Sequence, residues 1–338
     1  MNRRNVLLGL GAFLVGSGKS FSCMWDTDTL ADDVYIQGSS LDLVLGQFPH
    51  HGDAYYKLRI SRLLKQKDWS LVELNDLAVA HVRLKDFAIG EKYLAKAIAR
   101  SPDHYPTLSN IGVTAKKTGE FEKAARYIKK ALSIKPAGHM GLGDWYLKAL
   151  VWRQRYENAN IKNPPTVNFI GKQYLESFDG KYYGSKHLDS PKGIDKSRQA
   201  LMVKNDQSFA DGFLVFADKL RDAGLLHLAF LADTRALVLG HQNPDEVRRR
   251  RVEYLKYHTT FPGKYNMPKN TRNGLVDKTW GKGIAKAEAL IQKGADWLEE
   301  FKVTEAELLS GKKNEREVNF INVEAAMIDK GVRRVRGI

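Results

Sequence analysis

A single cysteine, Cys23, stands among the 338 residues, so no disulfide can close within the chain. A metal site at that thiol would have to borrow ligands from elsewhere, and the nearby Asp26 and Asp28 are hard oxygen donors, poorly matched to a soft thiolate. There is no Walker loop, no G-x-S-x-G, no H-E-x-x-H and no C-x-x-C-H, so no familiar motif supports catalysis or a cofactor. Acid is scarce beside base, with 39 Asp and Glu against 54 Lys and Arg. No stretch reads as a sheet. The apolar run from Val6 to Val15 is about ten residues, half of the roughly 20 that a membrane-crossing helix needs.

That run follows Arg3 and Arg4 and precedes Ser20-Phe21-Ser22, the three-part plan of a bacterial export signal. "NRRNVLL" is similar to the twin-arginine export motif, with Asn2 where that motif usually has serine. The expectation is a signal over 1–22 and an exported mature chain, periplasmic or otherwise in the cell envelope. Ser20 and Ser22 suit an ordinary signal peptidase, whereas a lipoprotein would carry an apolar residue at position 20. Cys23 is read as a residue at the cleavage site, with lipidation as the alternative. Without the signal the chain keeps a net charge of about +12.

Pro102 and Pro136 lie 34 residues apart, and the residues ahead of them agree in register. Leu74, Leu77, Ala78, Phe87, Gly90, Leu94 and Ala97 correspond to Leu108, Ile111, Gly112, Phe121, Ala124, Ile128 and Ala131. This unit resembles the tetratricopeptide repeat, with His81 and Ala115 where that family often has tyrosine. The resemblance implies an all-α array of helical hairpins, an α-solenoid, that binds other proteins through a concave surface of first helices. Leu77, Ala78, Gly90, Ala97, Ile111, Gly112, Ala124 and Ala131 are the expected repeat-packing residues, the small ones permitting close helix approach. A shift back by 34 aligns Leu43, Val44, Ile60 and Leu63 as a degenerate first unit. The helix beginning near Trp145 is expected to cap the array, which then occupies 23–157.

Residues 158–197 are rich in Gly, Pro, Asn and Ser, a linker or structured loop. Over 198–247, Phe213, Phe216, Ala217, Ala229 and Ala236 align on the repeat as an isolated helical pair, and 248–338 is expected to hold a basic segment and C-terminal helices.

His50, His51 and Asp53 are assigned to a turn, with Asp53 capping a helix from Ala54, rather than to a metal. Tyr93 and Tyr127 match one another on second helices and are expected to pack. Arg248 to Lys286 holds 11 basic and two acidic residues. Arg248, Arg249, Arg250, Arg251 and Lys256 are therefore the candidates for binding an anionic partner, with a solvated or internally paired helix as the alternative. The export signal argues against nucleic acid and leaves anionic lipid, a cell-wall polymer or an acidic protein. The expected function is a non-enzymatic protein-binding scaffold of the envelope. The alternatives are a structural protein held by the basic region, or an enzyme with a site between 158–197 and 248–282.

Overall fold

The computed structural model describes residues 40–47, 49–136, 210–222, 226–241, 243–260 and 276–335, with 143, 146, 147, 150, 151 and 154 between them. Side chains 40, 43, 211, 212, 215, 219, 222, 255–260 and 276–282 are not described. The helices are α1 (Ser40–Leu45), α2 (Asp53–Leu63), α3 (Leu71–Arg83), α4 (Phe87–Arg100), α5 (Tyr105–Lys117) and α6 (Phe121–Ile134). After these come α7 (Ala210–Asp222), α8 (Leu226–Val238), α9 (Pro244–Thr260), α10 (Val276–Leu309), a 3-10 turn (Glu315–Glu317) and α11 (Phe320–Asp329). Among the described residues there is no strand.

Local chemistry starts and stops the repeat helices. Ser70 and Glu73 form a capping box at the head of α3, the Glu73 N–H donating to the Ser70 hydroxyl at 3.2 Å and the Ser70 N–H to the Glu73 carboxylate at 2.8 Å. Pro106 sits in the first turn of α5, where a missing N–H costs nothing. The two hairpins turn alike: the Asp86 N–H donates to the His81 carbonyl at 2.9 Å, and the Glu120 N–H to the Ala115 carbonyl at 2.8 Å. Each turn needs a left-handed residue, supplied by Lys85 (φ 68°) in one unit and by Gly119 (φ 83°) in the next.

All eight repeat-packing residues are buried. A Cβ on Gly112 would stand 2.7 Å from Ile128 Cγ1 and 3.2 Å from the Ala124 carbonyl oxygen, so α5 and α6 meet at a distance that only glycine allows. Leu150 joins Ala115, Ala124 and Ile128 in one cluster, covering the last seam.

The N-terminal end of the array is closed differently from the alignment. α1 does not make a hairpin with α2; it packs on α8 and α10, and α2 packs on α3 and the later part of α10. Six residues give α1 under two turns, too little surface to cover α2. Its Val44 and Leu45 instead join the core that holds Phe213, Phe216 and Ile291. Tyr55 and Tyr56 of α2 join Ala80, Trp297, Phe301 and Phe320 in a second core. α10, 34 residues and about 50 Å long, is the spine shared by both cores. Where it crosses α1 it carries Gly294, at which a Cβ would overlap the Leu45 carbonyl oxygen. The α7–α8 pair is accordingly not isolated in space, since it packs with α1, α9 and α10.

Candidate interaction surfaces

α3 and α5 stand side by side, tied by a polar ladder. Asn75 Nδ2 donates to Thr107 Oγ1 at 2.9 Å, and Asn110 Nδ2 donates to Asn75 Oδ1 at 3.0 Å. His104 Nδ1 lies 2.8 Å from the same Thr107 hydroxyl, and burial holds its pKa below the ordinary value. Helical spacing puts Val72, Asp76, Val79 and Arg83 on one face of α3, and Pro106, Asn110, Val113 and Lys117 on the matching face of α5, where Asp76, Val79, Pro106 and Asn110 are buried and Val72 and Lys117 exposed. The opposite faces hold Leu74, Leu77, Leu108 and Ile111, which are buried in the repeats. Arg316, from the 3-10 turn, reaches Asp76 at 4.0 Å and stands at the head of this inner face.

The aromatic residues pack. Tyr93 and Tyr127 are partly buried against Ala78, Leu94 and Ile111. Trp69 meets Tyr93 edge-on at 5.7 Å, with Lys96 Nζ 5.3 Å from the Trp69 ring centre and 5.5 Å from that of Tyr93. His81, in the family's tyrosine position, stacks on Tyr93 at 5.6 Å.

The arginine run on α9 is paired within the fold. Arg250 donates to Asp218 at 2.7 Å and to Asp233 at 3.1 Å, and Arg221 reaches Asp233 from the other side at 3.2 Å. Burial pushes the Asp233 carboxyl up to about 6, although both guanidinium groups pull it down. Arg251 is buried, 5.6 Å over the Phe230 ring, and pairs with Glu288 at 3.3 Å. Arg250 and Arg251 thus face inward, a correction to their place among partner-binding residues, because successive helix positions cannot all face solvent on a helix packed on one side. Arg248 and Arg249 are exposed, the first paired with Asp245 at 2.7 Å and the second with Glu246 at 2.7 Å and with Glu253. Residues 261–275 and the side chains of Lys256, Lys278 and Lys282 lie outside the described residues, as do Cys23, 1–39 and 158–197.

Sequence reasoning missed the polar lock between α2 and the C-terminal elements. Glu315 receives Arg62 at 2.8 and 2.6 Å and Arg59 at 3.1 Å, while Arg59 also donates to the Tyr55 hydroxyl at 2.5 Å. Burial alone would raise the Glu315 pKa; the Arg62 hydrogen bonds and the Arg59 charge outweigh it and bring it down to about 2. Nearby, His51 Nδ1 lies 2.5 Å from Glu305 Oε1, and the Gly52 N–H donates to Glu305 Oε2 at 2.8 Å. The helix start expected to be capped by Asp53 is served instead by a carboxylate some 250 residues away, since Asp53 is already in the first turn and Gly52 is the cap residue. The one local hint was Arg59, a cation amid apolar spacing on α2.

Among the described residues no three His, Cys, Asp or Glu side chains form a metal-holding group, and no helix is long and apolar enough to cross a membrane. A cavity beside the α5–α6 turn is lined by Glu120, Lys123, Arg126 and Gln154, but Lys123 is already paired with Glu91 at 3.0 Å and with Glu120 at 3.1 Å.

Residues 105–137, which are α5, α6 and the turn between them, match the family model of the tetratricopeptide repeat. No curated protein and no solved structure matches the chain.

Proposed function

We propose that this chain, a tetratricopeptide repeat protein, serves as a non-enzymatic protein-binding scaffold of the bacterial cell envelope. The observation that carries the proposal is the repeat itself. Two hairpins in register bury their seams with small residues and leave the faces of α3 and α5 side by side, a shape suited to an extended segment of a partner. On that face Asp76, Val79, Pro106 and Asn110 are buried, so a ligand would meet Val72, Val113, Arg83 and Lys117, and the two cations in the last turns suit a ligand with acidic groups at one end. The envelope setting rests on the export signal in residues 1–22.

Affinity capture from envelope extract tests it, with the chain from residue 23 as bait beside a Val113→Glu, Lys117→Ala variant. A protein retained by the first and lost by the second is the expected result. The same proteins on both baits, or none on either, would overturn it.

A further inference from the structure

The arginine run on α9 is neutralised internally, so the remaining excess of positive charge has to be sought elsewhere. Among the described residues, one such excess lies on the second helices of the two repeats. α4 and α6, 14 residues each, together hold seven basic and two acidic side chains. Lys92 and Arg126 occupy the same position of successive units, as do Lys96 and Lys130. All four are exposed, and so is Lys129. Lys130 is held by Asp103 at 3.0 Å and Lys123 by two glutamates, but Lys92, Arg126 and Lys129 make no ion pair among the described residues. Lys96 has only aromatic company.

The face is broad and low. Between the cations the exposed residues are Ala88, Ala95, Ala99 and Ser133, with one carboxylate, Glu122, a turn ahead of Arg126, and the surface extends along about 20 Å of helix. Ile89 and Ile134, each 42% exposed, lie on the same side. A folded acidic protein or peptide would be gripped by relief, in a groove or pockets that fix its register; the small side chains offer none, and the cavity that Arg126 borders at the α5–α6 turn carries Glu120 and Glu122 in its lining, which repel an acidic ligand. Long cationic stems on a flat base, flanked by exposed isoleucines, fit a plane of anionic headgroups, with the ammonium groups at the phosphates and the apolar side chains at the interface.

We propose that the outer face of α4 and α6 docks on an anionic lipid bilayer, an attachment that rests on the reading of the chain as exported to the envelope. The inner face then points away from the bilayer and stays open to a protein partner.

Co-sedimentation tests this with the chain from residue 23, which keeps every described element, and vesicles of phosphatidylglycerol with phosphatidylethanolamine. Vesicles of phosphatidylcholine serve as the neutral surface. The Lys92→Gln, Arg126→Gln, Lys129→Gln variant should bind the anionic vesicles about 100-fold more weakly, as expected for removing three cations from an anionic surface. An Arg248→Gln, Arg249→Gln variant should stay within about threefold of the parent, and binding should weaken with salt. Three results would overturn the proposal: equal binding by parent and triple variant, equal binding to neutral vesicles, or a parent that ignores vesicles but binds polyglutamate through these residues. Melting curves confirm that the variants are folded. Failure here with a partner still captured through Val113 and Lys117 would leave the scaffold standing without its lipid attachment.

Discussion

The two repeats and the C-terminal assembly handle charge in opposite ways. From Leu71 to Lys135 no Lys or Arg is buried, and the helices approach through Ala78, Gly90, Gly112 and Ala124. In the assembly of α1, α2 and α7 to α11, Arg59, Arg235, Arg251 and Arg334 are buried alongside Asp233, Glu305 and Glu315. A repeat meets a neighbour of its own pattern, so apolar complementarity suffices and the cations can stay in water. The assembly joins unlike surfaces, and its charged pairs fix which helix meets which. Buried pairs of this kind do little for net stability but are costly to break.

The largest effect should therefore come from breaking a pair. Arg250→Gln removes one of the two guanidinium partners of the fully buried Asp233 and is expected to cost about 3 kcal/mol. Chemical denaturation measures it; a loss below about 1 kcal/mol would erase the contrast between the two regions. Gly112→Leu strikes the apolar region instead, where the side chain must displace Ile128, and about 1 to 3 kcal/mol should be lost.

Acidity sharpens the comparison because two carboxyls of the assembly respond with opposite signs. Glu315, held at about 2, contributes stability that is present above its unfolded pKa of about 4.5 and lost as pH falls toward 2. Asp233, raised to about 6, contributes stability that is present below about 4 and lost as pH rises through 6. Each should amount to about 3 kcal/mol, read from stability against pH. Glu315→Gln should flatten the acid limb and Asp233→Asn the neutral one. A parent-like profile in either variant would remove that group from the account.

The smallest effects belong to the surface. Lys116→Leu, Lys117→Leu and Arg248→Gln should each change stability by less than about 0.5 kcal/mol in melting experiments. A loss for Arg248→Gln equal to that for Arg250→Gln would mean that exposure does not separate the members of the arginine run.

The hairpins were legible in the sequence because each repeat residue meets a partner at most about one unit away. A small residue at Ala78 or Gly112 and a proline at 102 or 136 report local geometry directly. The degenerate first unit was only half legible: α2 is a helix over nearly the expected residues, but the surface that covers it comes from Trp297, Phe301 and Phe320. The place of Arg250 and Arg251 among the anion-binding candidates went astray for a related reason. Its charge was counted along the chain, whereas the carboxylates that neutralise Arg250 and Arg251 come from α7, α8 and α10.

The sequence by itself determined the helices, their boundaries and the packing seams of the repeats, since these rest on propensity, capping and contacts between residues close in the chain. The tertiary structure alone decided that α10 closes the array, that Glu305 and Glu315 meet His51, Arg59 and Arg62, and which cations remain facing water. Those outcomes depend on which distant surfaces meet, and a charge shows no sign of its partner until burial has removed the water from between them.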